Sequence, residues 1–293
     1  MNTGEKTDND STRDEKFQVA EYFSNKNDFW NSVYREDTAK DRFIHFHMRK
    51  RKKKVFEHLD SFASGQQITV LDVGCGTGVF LEEMIKKGYA AAGIDLSLAM
   101  ILDADRKLSV YKGILSDVVC ADVDRLPFPD NYFDAVTCVG VLEYLKNEVR
   151  TLIELKRVLK PHGIVIFTLP NKYKLKNLLD PYYYLIRLWQ YIFVKLGLRK
   201  KKNPDLRRYS SNESFTNKRY SISKLRSIVK NSELTLKEIS SIGYGPVTFW
   251  KKEILTLKMS LRISDFIETR AERKKNTIFN SVPNRWVIYT VKE

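Results

Sequence analysis

Residues 70–78, VLDVGCGTG, leave a chain few ways to fold. VLDV is an apolar run short enough to be one buried strand. Gly74, Gly76 and Gly78 follow at once, and VFLEEMIKK then carries apolar residues at helical spacing. A strand that turns through glycines into a helix opens a βαβ unit. Glycine also lets the turn be tight and lets a ligand come close to the main chain.

The same alternation continues. Strands are predicted at ITVLDV, AAAGID, DVVCAD, FDAVTCVG and GIVIFTLP. Helices are predicted at VFLEEMIKK, LSLAMILDADRK and EVRTLIELKRVLK, the last stopped by Pro161 and Gly163. The strands are too apolar to have a solvated face, so the fold class is α/β, with a parallel sheet covered by helices on both faces. Upstream, residues 1–16 are polar, lack the apolar core of a signal peptide and are expected to form a loose tail. Residues 17–60 are expected to form an N-terminal helical cap, helical from about Gln18 to Leu59. Residues 61–171 are expected to be the core. After Pro170 the alternation breaks. Residues 172–217 form an aromatic and basic insertion, and 218–293 complete the sheet with a helix, a strand, a helical insertion at about 249–275 and the closing strand NRWVIYTVK.

Three cysteines, Cys75, Cys120 and Cys138, are too scattered for a disulfide framework and point to a reduced, cytoplasmic setting. The net charge of +15 is uneven. Lys and Arg exceed Asp and Glu by 17 in residues 171–293 (27 against 10), whereas residues 61–170 carry −3. Such an excess suits an anionic lipid, nucleic acid or acidic substrate, or is simply a solvated face.

Three acidic positions stand at strand ends. Asp72 lies in the strand just before the loop, Asp95 ends AAAGID and Asp122 ends DVVCAD. A dinucleotide loop would place its third glycine three positions after the second. Here Gly78 comes two after Gly76, and such a loop has no need of Asp72. An ammonium group does need an anion there. A carboxylate at Asp95 can accept both hydroxyls of a ribose, and one at Asp122 can accept from an exocyclic amine.

VLDVGCGTGVFLEEM, AAGIDLS, VVCADVDRLPFPDNYFDAVTCVGVLEYL and LKRVLKPHGIVIFTLPN together resemble the class I methyltransferases that use S-adenosylmethionine. The branch resembled is the small-molecule one, the ubiquinone/menaquinone-type or methyltransferase type 11 group. The resemblance covers residues 66–171. It implies a Rossmann-like, seven-stranded, mostly parallel sheet with the cofactor across the strands' carboxyl ends. By position, Asp72, Gly74, Gly76 and Gly78 would hold the methionine part, with Cys75 a small residue in the same loop. Asp95 and Leu96 would hold ribose and adenine, Asp122 and Val123 the adenine, and Val139 the methionine side. Asp134 is expected to be structural. VAEYFSNKNDFWNSVYRED resembles the start of magnesium-protoporphyrin methyltransferases, which puts Tyr22 and Tyr34 near the cofactor; plain aromatic packing is the alternative.

Methyl transfer from a sulfonium needs alignment and, for a poor nucleophile, a base. No cluster of residues suggests a metal. Where this family often has a histidine after the fourth strand, the chain has Tyr144. His45 and His47 lie on the capping helix two apart, so at most one reaches the pocket; His47 and Tyr144 are the catalytic candidates. His58 is read as a helix-surface residue and His162 as an exposed turn residue. The expected acceptor is small or lipid-linked and is methylated on oxygen. PYYYLIRLWQYIFVKLGLRKKK, residues 181–202, is either a helix lying in a membrane interface or a lid over the pocket. In the first case the protein sits peripherally at the membrane's inner face. An RNA methyltransferase and a catalytically dead binding subunit are the competing readings. The intact acidic positions oppose the second. The absence of an Asp/Asn-Pro-Pro-aromatic motif after the fourth strand opposes the first.

Overall fold

A computed structural model describes residues 16–34, 43–111, 113, 115–197, 206–208, 216–246, 248–250, 252–273 and 278–293. The expected tail, save Lys16, and the Arg199–Lys202 cluster lie outside these residues.

The segment Gln18–Leu59, expected to be helical, contains three helices among the described residues: α1 (16–24), α2 (Asn27–Ser32) and α3 (Phe43–Ala63). The break falls in the polar run Ser24-Asn25-Lys26-Asn27. There the Ser24 hydroxyl donates to Ala20 O at 2.8 Å, a local bond that competes with helix propagation.

The core alternates as the sequence predicts. β1 (Thr69–Val73) leads to α4 (Val79–Lys86), β2 (Ala90–Asp95), α5 (Leu98–Leu108), β3 (Leu115–Cys120), β4 (Phe133–Cys138), α6 (Glu148–Val158) and β5 (Leu159–Pro170). Ser97 caps α5, accepting from Met100 N at 3.2 Å, and Asn147 caps α6, accepting from Arg150 N at 3.1 Å. The last predicted helix turn is strand instead, because Pro161 disfavours helix at Lys160 and the chain leaves α6 extended. The extra residues bulge at His162, whose φ is +63°, and pairing with β4 jumps from Leu159 to Ile164.

Next come α7 (Leu175–Leu179), α8 (Pro181–Lys195), β6 (Leu206–Arg208), β7 (Thr216–Lys218), α9 (Ile222–Asn231) and β8 (Thr235–Ile242). The expected helix at 249–275 begins only at Leu257. A small hairpin, β9 (Thr248–Phe249) and β10 (Lys252–Glu253), precedes α10 (Leu257–Arg273), and β11 (Arg285–Val291) closes the chain. Lys50 bridges to Asp265 and Glu268, and Lys54 to Glu272 at 2.8 Å, tying α10 to α3.

Seven strands form one sheet in the order β3-β2-β1-β4-β5-β11-β8, with β11 antiparallel to both neighbours. Strand residues alternate between two apolar layers. Leu71, Val73, Val136 and Phe167 pack with Leu152 and Leu155 of α6 and Leu225 and Ile228 of α9. Val70, Ala135, Ile164 and Ile166 pack with Val55 and Leu59 of α3 and Leu81 of α4. Each such buried side chain contributes roughly 1.5–3 kcal/mol. Strand order reverses between β1 and β4, which opens a crevice at their carboxyl ends.

Candidate active site

A cavity of about 230 Å³ fills that crevice. The loop after β1 forms one wall. Gly74 N and Cys75 N both donate to Ile94 O, at 2.8 and 2.9 Å, which pins the loop to β2. The three glycines do different jobs. At Gly74 a β-carbon would fall 2.2 Å from Val141 Cγ2, so the loop and the end of β4 touch through the missing side chain. At Gly76, φ is +52° and an added β-carbon would meet no protein atom within 4 Å; the residue lines the cavity. Gly78 lies off the cavity lining and instead admits Ala104 and Leu108 of α5, 3.2 and 3.1 Å from where its β-carbon would stand. Cys75 is buried; burial, with Asp72 and Asp95 nearby, pushes its thiol up and keeps it protonated.

The three strand-end carboxylates all line the cavity, together with Leu96, Val123 and Val139. Asp72 is buried, and the Thr137 hydroxyl donates to its Oδ1 at 2.6 Å. Burial, reinforced by Asp95, pushes its pKa up to about 7. Asp95 accepts from Gly76 N at 3.0 Å and from Ser97 N at 2.9 Å, so it also braces the loop; burial raises its pKa as well. Both oxygens of Asp122 lie 2.8 Å from Lys16 Nζ, which also reaches Asp124 at 2.6 Å. Burial opposes the charge on Lys16, and the two carboxylates outweigh it and hold the ammonium above its ordinary range. Asp134, as expected, is structural: it accepts from Thr69 N at 2.8 Å and Lys160 Nζ at 2.8 Å, joining β1, β4 and β5.

From the N-terminal helices the cavity receives Phe23, Trp30, Tyr34, Met48 and Arg51. Tyr34 packs edge-on against Phe80 at 5.6 Å. Tyr22 does not line the cavity; its ring lies against Phe23 and under Lys26 Nζ, 3.6 Å from the centroid. His47 is also outside the lining. Met48 and Arg51, three apart, form the inward stripe of α3, and this turns the His47 ring against Gly243 instead. His45, His58 and His162 are not in the lining either.

Tyr144 is in the cavity, edge-on to Phe23 at 5.3 Å, and its hydroxyl accepts from Asn217 Nδ2 at 3.2 Å. Three neighbours escaped the sequence reading. Arg51 is 5% exposed; Nη2 donates to the Tyr34 hydroxyl, Nε has no partner, and no carboxylate among the described residues pairs with it. Glu143 is 1% exposed; its Oε1 accepts from Arg285 Nη1 at 2.6 Å, while Oε2 has no partner. Arg285 also donates to Thr168 Oγ1 at 3.3 Å. Arg51 and Glu143 both line the cavity, and a buried cation and a buried carboxylate oxygen are groups that a ligand can satisfy.

A family described as a methyltransferase domain matches residues 71–167. The core is a class I methyltransferase domain. The ubiquinone/menaquinone biosynthesis C-methyltransferase of Paraburkholderia phymatum is 32% identical over 145 residues, 48% of this chain and 57% of that protein. The ubiquinone biosynthesis O-methyltransferase of Saccharophagus degradans is 27% identical over 193 residues, 65% of this chain and 73% of that protein. Several other matches align over 46% or 44% of the relative, so this chain spans about half the length of most curated relatives it matches. In fold, the magnesium protoporphyrin IX methyltransferase of Synechocystis, solved with SAH, superposes with a TM-score of 0.58 at 15% identity, over 95% of this chain and all of that one. The methyltransferase domain's cavity suits S-adenosylmethionine. Gly76 leaves open space where a side chain would stand, and among the described residues the buried Asp72 carboxyl pairs with no cation and the buried Arg51 with no carboxylate.

Proposed function

We propose that this chain transfers a methyl group from S-adenosylmethionine to an oxygen of a small-molecule acceptor. The observation that carries the reading is one cavity faced by the glycine loop, three strand-end carboxylates and the half-satisfied Glu143. Bound S-adenosylmethionine would supply a methyl group on a cationic sulfur, a carbon already activated for displacement. Asp72 would balance the ammonium and Arg51 the carboxylate of its methionine end. Asp95 would accept from the ribose, using lone pairs that Gly76 and Ser97 leave over, and Asp122 from the adenine amine in place of Lys16.

An oxygen acceptor must lose its proton as the new O–C bond forms and the methyl–sulfur bond breaks. Glu143 Oε2 takes that proton, while Arg285 holds the carboxylate in place through Oε1. Tyr144 and Asn217 border the same space and position the acceptor. The alignment with an O-methyltransferase along 65% of this chain supports oxygen as the receiving atom.

The test is transfer of a ¹³C-labelled methyl group into a cell extract, followed by separation of small molecules from RNA. An O-methyl resonance in the small-molecule fraction is expected. A carbon-bound methyl, or label in RNA, would refute the assignment.

A further inference from the structure

Helix α8 points its apolar side away from the protein. Leu185, Leu188, Trp189, Ile192 and Leu196 stand at i, i+3, i+4, i+7 and i+11, so α8 and its last turn align them on one stripe, and they are 43–63% exposed. The better-covered Tyr183, Ile186 and Val194 lie away from the stripe, and Phe193 borders it, its ring 4.2 Å from that of Trp189. A water-facing helix has the opposite arrangement. Nor is α8 a lid: none of its residues lines the cavity.

A second apolar element is fixed beside it. Asp180, 5% exposed, caps α8 by accepting from Tyr182 N at 3.1 Å. The same carboxylate accepts from Trp250 N and Thr248 Oγ1, both at 2.9 Å, at the turn of the β9–β10 hairpin. The Trp250 ring thereby lies 6.2 Å from that of Tyr182, and Phe249 and Trp250 are each 52% exposed. One buried carboxylate thus joins the two exposed apolar elements.

Charge decides what covers this face. Residues 181–204 contain Arg187, Lys195, Arg199 and Lys200–Lys202 and no acidic residue. A second copy would bring two such sets of cations together with only Glu253 of the hairpin as an exposed counter-charge on the face, and a nucleic acid would leave the leucine and isoleucine stripe unsatisfied. At 15 residues α8 is too short to span a bilayer, and no described helix is long and apolar enough to cross one. Aliphatic residues on one face, Tyr and Trp at its margins and flanking cations are the features of a helix that lies in the headgroup layer.

We propose that α8 and the β9–β10 hairpin form a docking surface for an anionic lipid bilayer. The inference stands apart from the methyl-transfer reading, and each can fail alone. It is tested by sedimenting the full chain with vesicles of phosphatidylcholine alone or with three-tenths phosphatidylserine, at low and high salt. Sedimentation is expected with the phosphatidylserine vesicles and is expected to weaken with salt. L188E/W189E should abolish it with little change in thermal unfolding, because Leu188 and Trp189 are 56% and 49% exposed. Replacing Arg199 and Lys200–Lys202 by Gln should lower the partition coefficient at least about a hundredfold, each cation being worth about fivefold. Failure of the wild type to sediment, or sedimentation of L188E/W189E like the wild type, would overturn the proposal. So would a wild-type dimer that L188E/W189E converts to monomer, which would assign the face to a second copy.

Discussion

Arg285 holds Glu143 by one oxygen only, Nη1 to Oε1 at 2.6 Å, and the second oxygen of this cavity-lining residue is buried without a partner. The two residues come from the 3-10 turn Leu142–Tyr144 that follows β4 and from the start of β11, which the sheet brings near each other across β5. If Glu143 is the base, Glu143→Gln keeps an oxygen that can accept from Arg285 but loses both the charge that pairs with Arg285 and the capacity to take a proton. A fall in kcat of about 10²- to 10⁴-fold is expected, with affinity for S-adenosylhomocysteine unchanged by calorimetry. A variant with wild-type kcat would remove Glu143 from the chemistry.

Asp72 makes the protein sensitive to pH in a defined direction. Its folded pKa of about 7 lies above the ordinary carboxylate value of 3.8. The fold therefore retains the proton longer than the unfolded chain does. The contribution of Asp72 to stability is full below about pH 4 and is lost as pH rises through about 7, a total on the order of 4 kcal/mol. Asp72→Asn should flatten that decline and melt higher than the wild type at pH 8, yet bind the cofactor more weakly. Melting curves from pH 4 to 8 with and without S-adenosylhomocysteine separate the two effects.

Gly74 and Gly76 should respond differently to alanine. Gly74→Ala drives a methyl into Val141 and should destabilise the fold whether or not ligand is present. Gly76→Ala meets no protein atom and pays only the positive-φ cost of about 1 kcal/mol, so it should fold and lose ligand affinity. Equal unfolding midpoints for the two variants would contradict this division.

Asp95→Ala removes more than a ribose contact. It leaves the Gly76 and Ser97 N–H groups without their acceptor, so a stability loss of roughly 1–3 kcal/mol for each buried donor is expected alongside weaker binding. Chemical denaturation of the ligand-free variant measures the first loss, and calorimetry the second.

Arg51→Met tests the unpaired cation. Replacing a buried guanidinium that has no carboxylate partner with an apolar chain of similar length should leave stability unchanged or raise it. Affinity for S-adenosylhomocysteine should fall at least tenfold if Arg51 meets the methionine carboxylate; undiminished affinity would assign Arg51 another ligand group.

The core was legible because its signals are local. Val70 and Leu71 are buried on opposite faces, so the strand reads as a continuous apolar run, and the glycines mark its end. The rest depended on contacts that a linear reading cannot place. Arg51 sits in the run RKRKKK, and nothing there says which cation turns inward; the rotation of α3 decides it. Glu143 and Arg285 are 142 positions apart. The double duty of Asp95 follows from the loop folding back on β2. The stretch before Leu257 read as helix because its apolar residues are too few to show a period, whereas Trp250, at φ +54°, turns a hairpin tied to Asp180.

The position of β11 sets an order on how this molecule can assemble. It is the last strand in the chain, yet it lies inside the sheet, and β8 joins the sheet only through it. Trp286 and Ile288 fill one apolar layer and Val287 the other. Until residues 285–291 have been synthesised, β5 presents an apolar edge with open backbone groups, and neither layer can close. Before that point a growing chain is an incomplete sheet, a species prone to pair with its own kind. Folding should be slow, dominated by contacts distant in sequence, and should finish only after the final strand has threaded between two partners made long before it.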